Sequence, residues 1–389
     1  MQYPERFSAL SGYPFPRLRA LLQDIPAGGE PLYMSLGEPK HAFPPFVMEE
    51  ISKHQKLFNN YPKNNGEPPL LDAIIGYLSR RFGIDNIGHD NLTPLNGTRE
   101  GLYMAALALL PERKNGKAPI VLAPNPFYQV YMMGAKTLGL DTQFVNTTAE
   151  TKFLPDYESL PAATLDRTCA VFLCSPSNPQ GAIADSSYLK SLILLAERHD
   201  FLIFADECYC ELFFGDAPNS AFKVAQDMGA DTNRIVAFHS LSKRSNLPGL
   251  RSGFAVSGKK TMAKLHQLRG YAGAPVAGPI QMVSAKLWAD DKHVVINRAL
   301  YAEKMKDVRD ILGQQFVPEG GFFLWLPTQN GETTASTLWK EQGIEVLPGE
   351  YLCANIGAQN PGTSYIRVAM VGPHEKTKQA IKKIEQYLN

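Results

Sequence analysis

Cys169-Ala-Val-Phe-Leu-Cys174 is an unbroken apolar run that passes straight into Ser175-Pro-Ser-Asn178-Pro179-Gln-Gly181. A run of that length without polar alternation suits a strand buried on both faces, and such strands belong to parallel sheets. Residues 186–198 then show helical spacing, and a second apolar run, Phe201-Leu-Ile-Phe-Ala205, ends in Asp206-Glu207-Cys208-Tyr209. A third, Ile235-Val-Ala-Phe238, ends in His239-Ser240-Leu-Ser242-Lys243-Arg244, and Gly253-Phe-Ala-Val256 gives one more. Repeated strand–helix–strand units predict an α/β fold. They also place polar clusters at the C-terminal ends of strands, where open α/β sheets take their ligands.

Upstream, the same reading holds in weaker form. Pro4, Pro14, Pro16, Pro26 and Pro31 mark an arm that crosses a surface, with one short helix near 17–23. Leu32 to Leu36 is a short strand ending in Gly37-Glu-Pro39, either a plain turn or a close approach to a ligand. Residues 45–58 and 70–82 read as helices separated by a turn-rich loop carrying Tyr61. Asn96-Gly97-Thr98-Arg99-Glu100 opens a helix to about Leu110, and 118–123 is a strand broken by Pro124-Asn-Pro126-Phe-Tyr128. Downstream, a long helical region reaches Leu312. Strands at 320–325, 343–347 and 364–369 and a last helix near 375–388 form a second, smaller α/β layer.

Composition sets bounds. The chain has 389 residues, 44% hydrophobic and 20% charged, which suits a globular protein of two domains. Its 39 basic and 38 acidic residues give no electrostatic case for nucleic acid or an anionic membrane. No run approaches the roughly 18 apolar residues of a membrane span, and no leader pattern stands at the start, so a cytoplasmic location is expected. The five cysteines, Cys169, Cys174, Cys208, Cys210 and Cys353, suit reduced thiols, and no ligand spacing for a metal is present.

Singly, the polar clusters are ambiguous. Gly97-Thr98 at a helix start exposes backbone N–H groups suited to phosphate, though Thr98 could simply cap the helix. Asp206 could be a turn residue. Lys243 is nucleophilic only when deprotonated, which a desolvated pocket would favour. Together they have the chemistry of one cofactor. Pyridoxal 5′-phosphate needs a lysine for its aldehyde, a phosphate cradle, an acid at its ring nitrogen and donors for its phenolic oxygen.

The order of these motifs resembles the pyridoxal-phosphate aminotransferases of class I/II, fold type I. The matching strings are NGTRE (96–100), PNPFY (124–128), SPSNPQG (175–181), ADECY (205–209), SLSK (240–243), Arg251 and YIRVA (365–369). The resemblance implies an aspartate aminotransferase-like, three-layer α/β/α large domain over 48–290 with a mixed, mostly parallel sheet. A C-terminal small α/β domain would span 291–389, with 1–47 an N-terminal arm and part of that small domain. It further implies Lys243 as the Schiff-base lysine and proton shuttle, with Asp206 and Tyr209 as its catalytic partners. Gly97, Thr98, Arg99, Ser240, Ser242 and Arg251 would hold the phosphate, and Tyr128 would stack on the ring. Asn178 and Tyr209 would bond the phenolic oxygen, and Arg367 would grip the substrate α-carboxylate, with Gly37 in the segment closing over it. Tyr61 would reach the phosphate of a second subunit, implying a homodimer. SLGEPKHAFP (35–44), APNPFYQVY (123–131), FVNTTAE (144–150) and FHSLSKRSNLPGLRSGF (238–254) are similar to bacterial succinyldiaminopimelate aminotransferases. That implies a succinylated keto-pimelate acceptor with glutamate and 2-oxoglutarate as the other pair. Asn65-Gly66-Glu67-Pro68 departs from the turn expected there, and Arg269 is either a surface residue, the more common case for an arginine, or a candidate for the distal carboxylate. Aspartate, alanine or acetylornithine transamination and a carbon–sulfur β-lyase are the alternatives. A dehydrogenase is disfavoured because no G-x-G-x-x-G follows a strand.

Overall fold

The computed structural model describes residues 5–7 and 12–388; Pro4 lies outside them. Seven strands form the central sheet. In spatial order they are Leu92–Leu95, Gly253–Ser257, Ile235–Ser240, Leu202–Asp206, Thr168–Cys174, Ile120–Asn125 and Asp141–Asn146. Only Gly253–Ser257 runs against its neighbours; the other pairs are parallel.

Alternate residues of each central strand feed two separate cores. Val171, Leu173, Ile203, Ala205, Ile235 and Ala237 pack beneath helices Pro68–Phe82, Ser186–His199, Ala221–Met228 and Gly278–Ala289. Ala170, Phe172, Phe204, Val236 and Phe238 face helices Thr98–Leu109, Gln129–Thr137 and Lys259–Arg269. Both faces are therefore covered, which is why these strands read as continuous apolar runs. Asp206 and Ser240 end neighbouring strands, Asp206 lying opposite Phe238 and Cys174 in register.

The two outermost strands were not evident from apolar runs. Leu92–Leu95 carries Pro94, and Asp141–Asn146 is largely half-exposed. The strand at 120–125 also continues through Pro124, past the expected break. Beyond Leu122 it pairs only with Asp141–Asn146, so the missing N–H of Pro124 need cost no ladder bond on the other side.

A smaller body packs beside the sheet. Its antiparallel sheet runs Leu347–Pro348, Tyr365–Ala369, Phe323–Pro327. Leu32–Tyr33 pairs in parallel with Ile344–Glu345, so the stretch read as one strand at 343–347 serves two sheets. Helices Lys292–Leu312, Gly331–Gln342 and His374–Leu388 complete it around Met34, Val308, Leu324, Ile366 and Ile381. The arm helix is Pro14–Leu22, its first-turn prolines suiting positions where no helical N–H bond is lost. No described helix is long and apolar enough to cross a membrane.

Candidate active site

A cavity of about 880 Å³ opens at the C-terminal ends of the central strands. Its wall includes Gly37, Thr98, Arg99, Tyr128, Asn178, Asp206, Tyr209, Ser240, Ser242, Lys243, Arg251 and Arg367, brought together from positions 330 residues apart in sequence. Two expected residues lie elsewhere. Gly97 stands behind the wall, and Tyr61 is fully exposed.

Lys243 sits in the single helical turn Leu241–Arg244, which Ser240 caps by accepting from the Ser242 N–H at 3.1 Å. The Lys243 ammonium donates to the Gly37 carbonyl at 2.6 Å and lies 5.3 Å from the Phe322 ring. Burial draws its pKa down to about 8, with the Arg367 and Arg251 charges acting in the same direction.

Asp206 is 4% exposed. It accepts from the Tyr131 hydroxyl at 2.9 Å and the Cys208 N–H at 3.3 Å. Burial raises its pKa, and among the described residues no cation pairs with it. A buried carboxylate facing a cavity without a protein cation calls for a cationic group from the ligand. Burial likewise holds the Tyr209 phenol well above its usual pKa, leaving it a neutral donor.

One side of the cavity is built on close approach. Gly97 has φ +83°, and a Cβ there would stand 2.2 Å from Arg251 Nη2. Arg251, itself left-handed, is aimed by bonds to the carbonyls of Asn96 (3.0 Å) and Pro248 (2.8 Å). Thr98 begins its helix at the cavity, with first-turn N–H groups available for an anion. Arg99 is turned differently: its Nε donates to the Tyr128 hydroxyl at 2.9 Å, and Nη2 reaches the Tyr13 hydroxyl at 3.5 Å.

Arg367 is 4% exposed, its pKa drawn down to about 10 by burial. It donates to Ser35 O (2.6 Å) and Asn178 Oδ1 (3.1 Å), lies over Phe323 at 4.3 Å, and leaves Nε unpaired. A buried guanidinium fork with carbonyl partners but no carboxylate is suited to a carboxylate ligand.

One expectation is corrected. Arg269 is neither a surface residue nor part of the cavity wall; it is buried and paired with Glu100, whose other oxygen accepts from the Asn96 N–H at 2.9 Å. That pair braces the Gly97 turn. Conversely, Tyr131, Tyr13, Phe15 and Phe323 line the cavity and were missed. Tyr131 alone had a signal, since Tyr128 and Tyr131 lie three apart at the start of a helix.

The buried acid, the lysine of lowered pKa, the anion cradle and Tyr128 fit pyridoxal phosphate. Gly97→Ala is expected to displace the Arg251 guanidinium and weaken binding of that cofactor at least about tenfold, the scale of one lost charged hydrogen bond. Fluorescence titration of the cofactor-free protein measures it; unchanged affinity would show that Arg251 does not hold the phosphate.

Comparison with known proteins points the same way. The family model for aminotransferase class I and II matches residues 30–384. An aminotransferase structure from Neisseria meningitidis is 34% identical, covers 99% of this chain and 100% of that one, and superposes with a TM-score of 0.93. Aminotransferase AspB from Helicobacter pylori is also 34% identical, covering 98% and 99%, at a TM-score of 0.91. LL-diaminopimelate aminotransferase of Syntrophobacter fumaroxidans is 28% identical over 98% of each chain. This chain belongs to the class I and II aminotransferases, enzymes that depend on pyridoxal phosphate.

Proposed function

We propose that the chain is an N-succinyl-LL-2,6-diaminopimelate:2-oxoglutarate aminotransferase of diaminopimelate and lysine synthesis. It would act as a cytoplasmic homodimer, with large and small domains divided near residue 290. The observation that carries the reading is the cation arrangement of the cavity. Arg367 offers a buried fork for an α-carboxylate, while Arg99, on another element and turned to two tyrosines, is placed for a second acidic group. The sequence strings that resemble those of succinyldiaminopimelate aminotransferases support the succinyl group. Relatives named LL-diaminopimelate aminotransferase favour a second reading, the unsuccinylated diamine.

When bound, pyridoxal phosphate supplies the electron sink that acidifies the substrate Cα–H. Asp206 would hold the proton on the ring nitrogen. Asn178 and Tyr209 would orient the phenolic oxygen, while Thr98, Ser240, Ser242 and Arg251 would hold the phosphate. Arg99, expected from the sequence to hold it too, is given to the substrate instead because its guanidinium is engaged with the Tyr128 and Tyr13 hydroxyls. Arg367 would hold the α-carboxylate, leaving Lys243 as the base for the Cα proton. The neutral Lys243 Nζ would then take the Cα proton, a general acid–base step worth about 10²–10⁴-fold. Tyr61, fully exposed in one chain, would complete the phosphate site of the partner subunit.

Amino-donor assays with 2-oxoglutarate decide the substrate. The succinylated diamine should exceed aspartate, acetylornithine and free LL-diaminopimelate by at least about tenfold in kcat/KM, the discrimination expected of one matched polar site. Preference for the free diamine would establish the second reading; pyruvate release from cystathionine without a keto acid would establish a lyase.

The lowered pKa of Lys243 gives a further expected result. Only the neutral amine attacks an aldehyde, so covalent loading of the cofactor-free protein should accelerate as pH rises through about 8. Stopped-flow absorbance should show a gain of about tenfold between pH 7 and 9 and then a plateau. A rate still climbing steadily beyond pH 9 would mean an unshifted lysine.

A further inference from the structure

Behind the cavity wall, a run of polar side chains, Lys304 and Asn297 buried and His41 half-buried, joins three of its parts. Lys304, on Lys292–Leu312, is 1% exposed. Its ammonium donates to the carbonyls of Met370 (2.8 Å) and Gly372 (2.6 Å) and lies 2.9 Å from His41 Nε2. An ammonium has no lone pair, so Nε2 accepts and the proton of the neutral ring belongs on Nδ1. From there it faces Asn297 Oδ1 at 3.2 Å. The same oxygen accepts from Asn246 Nδ2 at 2.9 Å. Asn297 Nδ2 then donates to the Lys243 carbonyl at 3.2 Å. Each donor meets an acceptor, and the direction of the chain follows from the ammonium at its head. Burial, with the Lys304 charge second, holds His41 below the usual imidazole pKa and so neutral.

Three pieces of the site end on this chain. Met370-Val-Gly372 continues the strand that carries Arg367. His41 anchors the segment 35–42, in which Ser35 O accepts from Arg367 and Gly37 O from Lys243. The main chain of Lys243 is the third. None of Lys304, His41 and Asn297 lines the cavity. The helix that supplies two of them also presents Tyr301, which packs on His41 (4.5 Å) and on Phe322 (5.4 Å) beside the Lys243 ammonium.

We infer that Lys304, His41 and Asn297 are positioning residues, a one-way hydrogen-bond chain that fixes the Arg367 strand and the segment 35–42 against the Lys243 main chain. The inference rests on the proposed roles of Arg367 and Lys243. Those two groups act on adjacent bonds of one amino acid, and a displacement of about 1 Å between such groups can cost about 10²-fold.

Hydrogen exchange on the full-length, cofactor-free protein tests it without relying on activity. In Asn297→Ala, amides of 35–43 should exchange about tenfold faster, the scale of one lost buried hydrogen bond, while those of Leu202–Asp206 keep their rate. With pyridoxal phosphate added, kcat/KM for the amino donor should fall about 10- to 100-fold. His41→Gln, which keeps a donor and an acceptor, should retain more activity than His41→Ala. Unchanged exchange at 35–43 in folded Asn297→Ala overturns the inference, as does a His41→Gln enzyme no better than His41→Ala. If Asn297→Ala does not fold, the two His41 variants carry the same comparison. An inactive wild type with the exchange difference intact would refute the transaminase substrate reading and leave the chain standing. An active wild type without that difference would refute the chain alone.

Discussion

Lys243→Ala is expected to lower transamination by at least about 10⁴-fold, the upper end of what one acid–base group contributes, because in the proposed reading the same amine also captures the cofactor. Nothing else in the wall replaces it. Among the described residues, the other cations lining the cavity, Arg99, Arg251 and Arg367, are guanidiniums that stay protonated. Lys243→Arg should therefore be as inactive as Lys243→Ala, although it keeps the charge. The fold should survive both changes. Among the described residues the ammonium hydrogen-bonds to Gly37 O, and its removal relieves a buried charge. Initial rates on folded variants check this; more than about a hundredth of wild-type activity in either one would contradict the role of the lysine.

Arg367→Leu should reduce kcat/KM for every amino-acid donor by about 10²–10³-fold, the scale of a buried, bidentate charge pair. The loss should be larger in KM than in kcat if the guanidinium binds ground state and transition state alike. Arg367→Lys should recover little, because an ammonium cannot reproduce the planar fork that Ser35 O and Asn178 Oδ1 now hold in place. Thermal stability of the cofactor-free protein should change little. Arg367 has only carbonyl partners, an unpaired Nε and a pKa drawn down by burial, so leucine removes a poorly solvated charge while filling the space over Phe323. Steady-state kinetics with two different donors separate this from a substrate-specific effect. Equal losses place Arg367 on the shared α-carboxylate, whereas loss with one donor only would move it to side-chain recognition.

The part of this molecule that is legible in its sequence is the part where burial on both sheet faces forces a simple pattern. Cys169–Cys174 and Phe201–Ala205 read as strands because neither face meets water. Their polar endings are exposed by contrast, so Asp206, Ser240 and Lys243 stand out. Edge strands carry no such pattern: Asp141–Asn146 is half wet, and Leu92–Leu95 contains a proline. Contacts between distant segments are also silent. That Arg269 pairs with Glu100, or that Lys304 meets His41, depends on how helices dock, and docking leaves no local periodicity. Tyr61 remains outside the cavity of a single chain, where its proposed role requires a second subunit.

Covalent capture is the most direct measurement of the role given to Lys243. The wild-type protein, loaded with pyridoxal phosphate, is reduced with borohydride, digested and analysed by mass spectrometry. One phosphopyridoxyl group per chain should appear on the peptide containing Ser240-Leu-Ser-Lys243, and on no other. Stoichiometric label on a different lysine, or none on any peptide, would contradict the assignment of Lys243 and the site built around it.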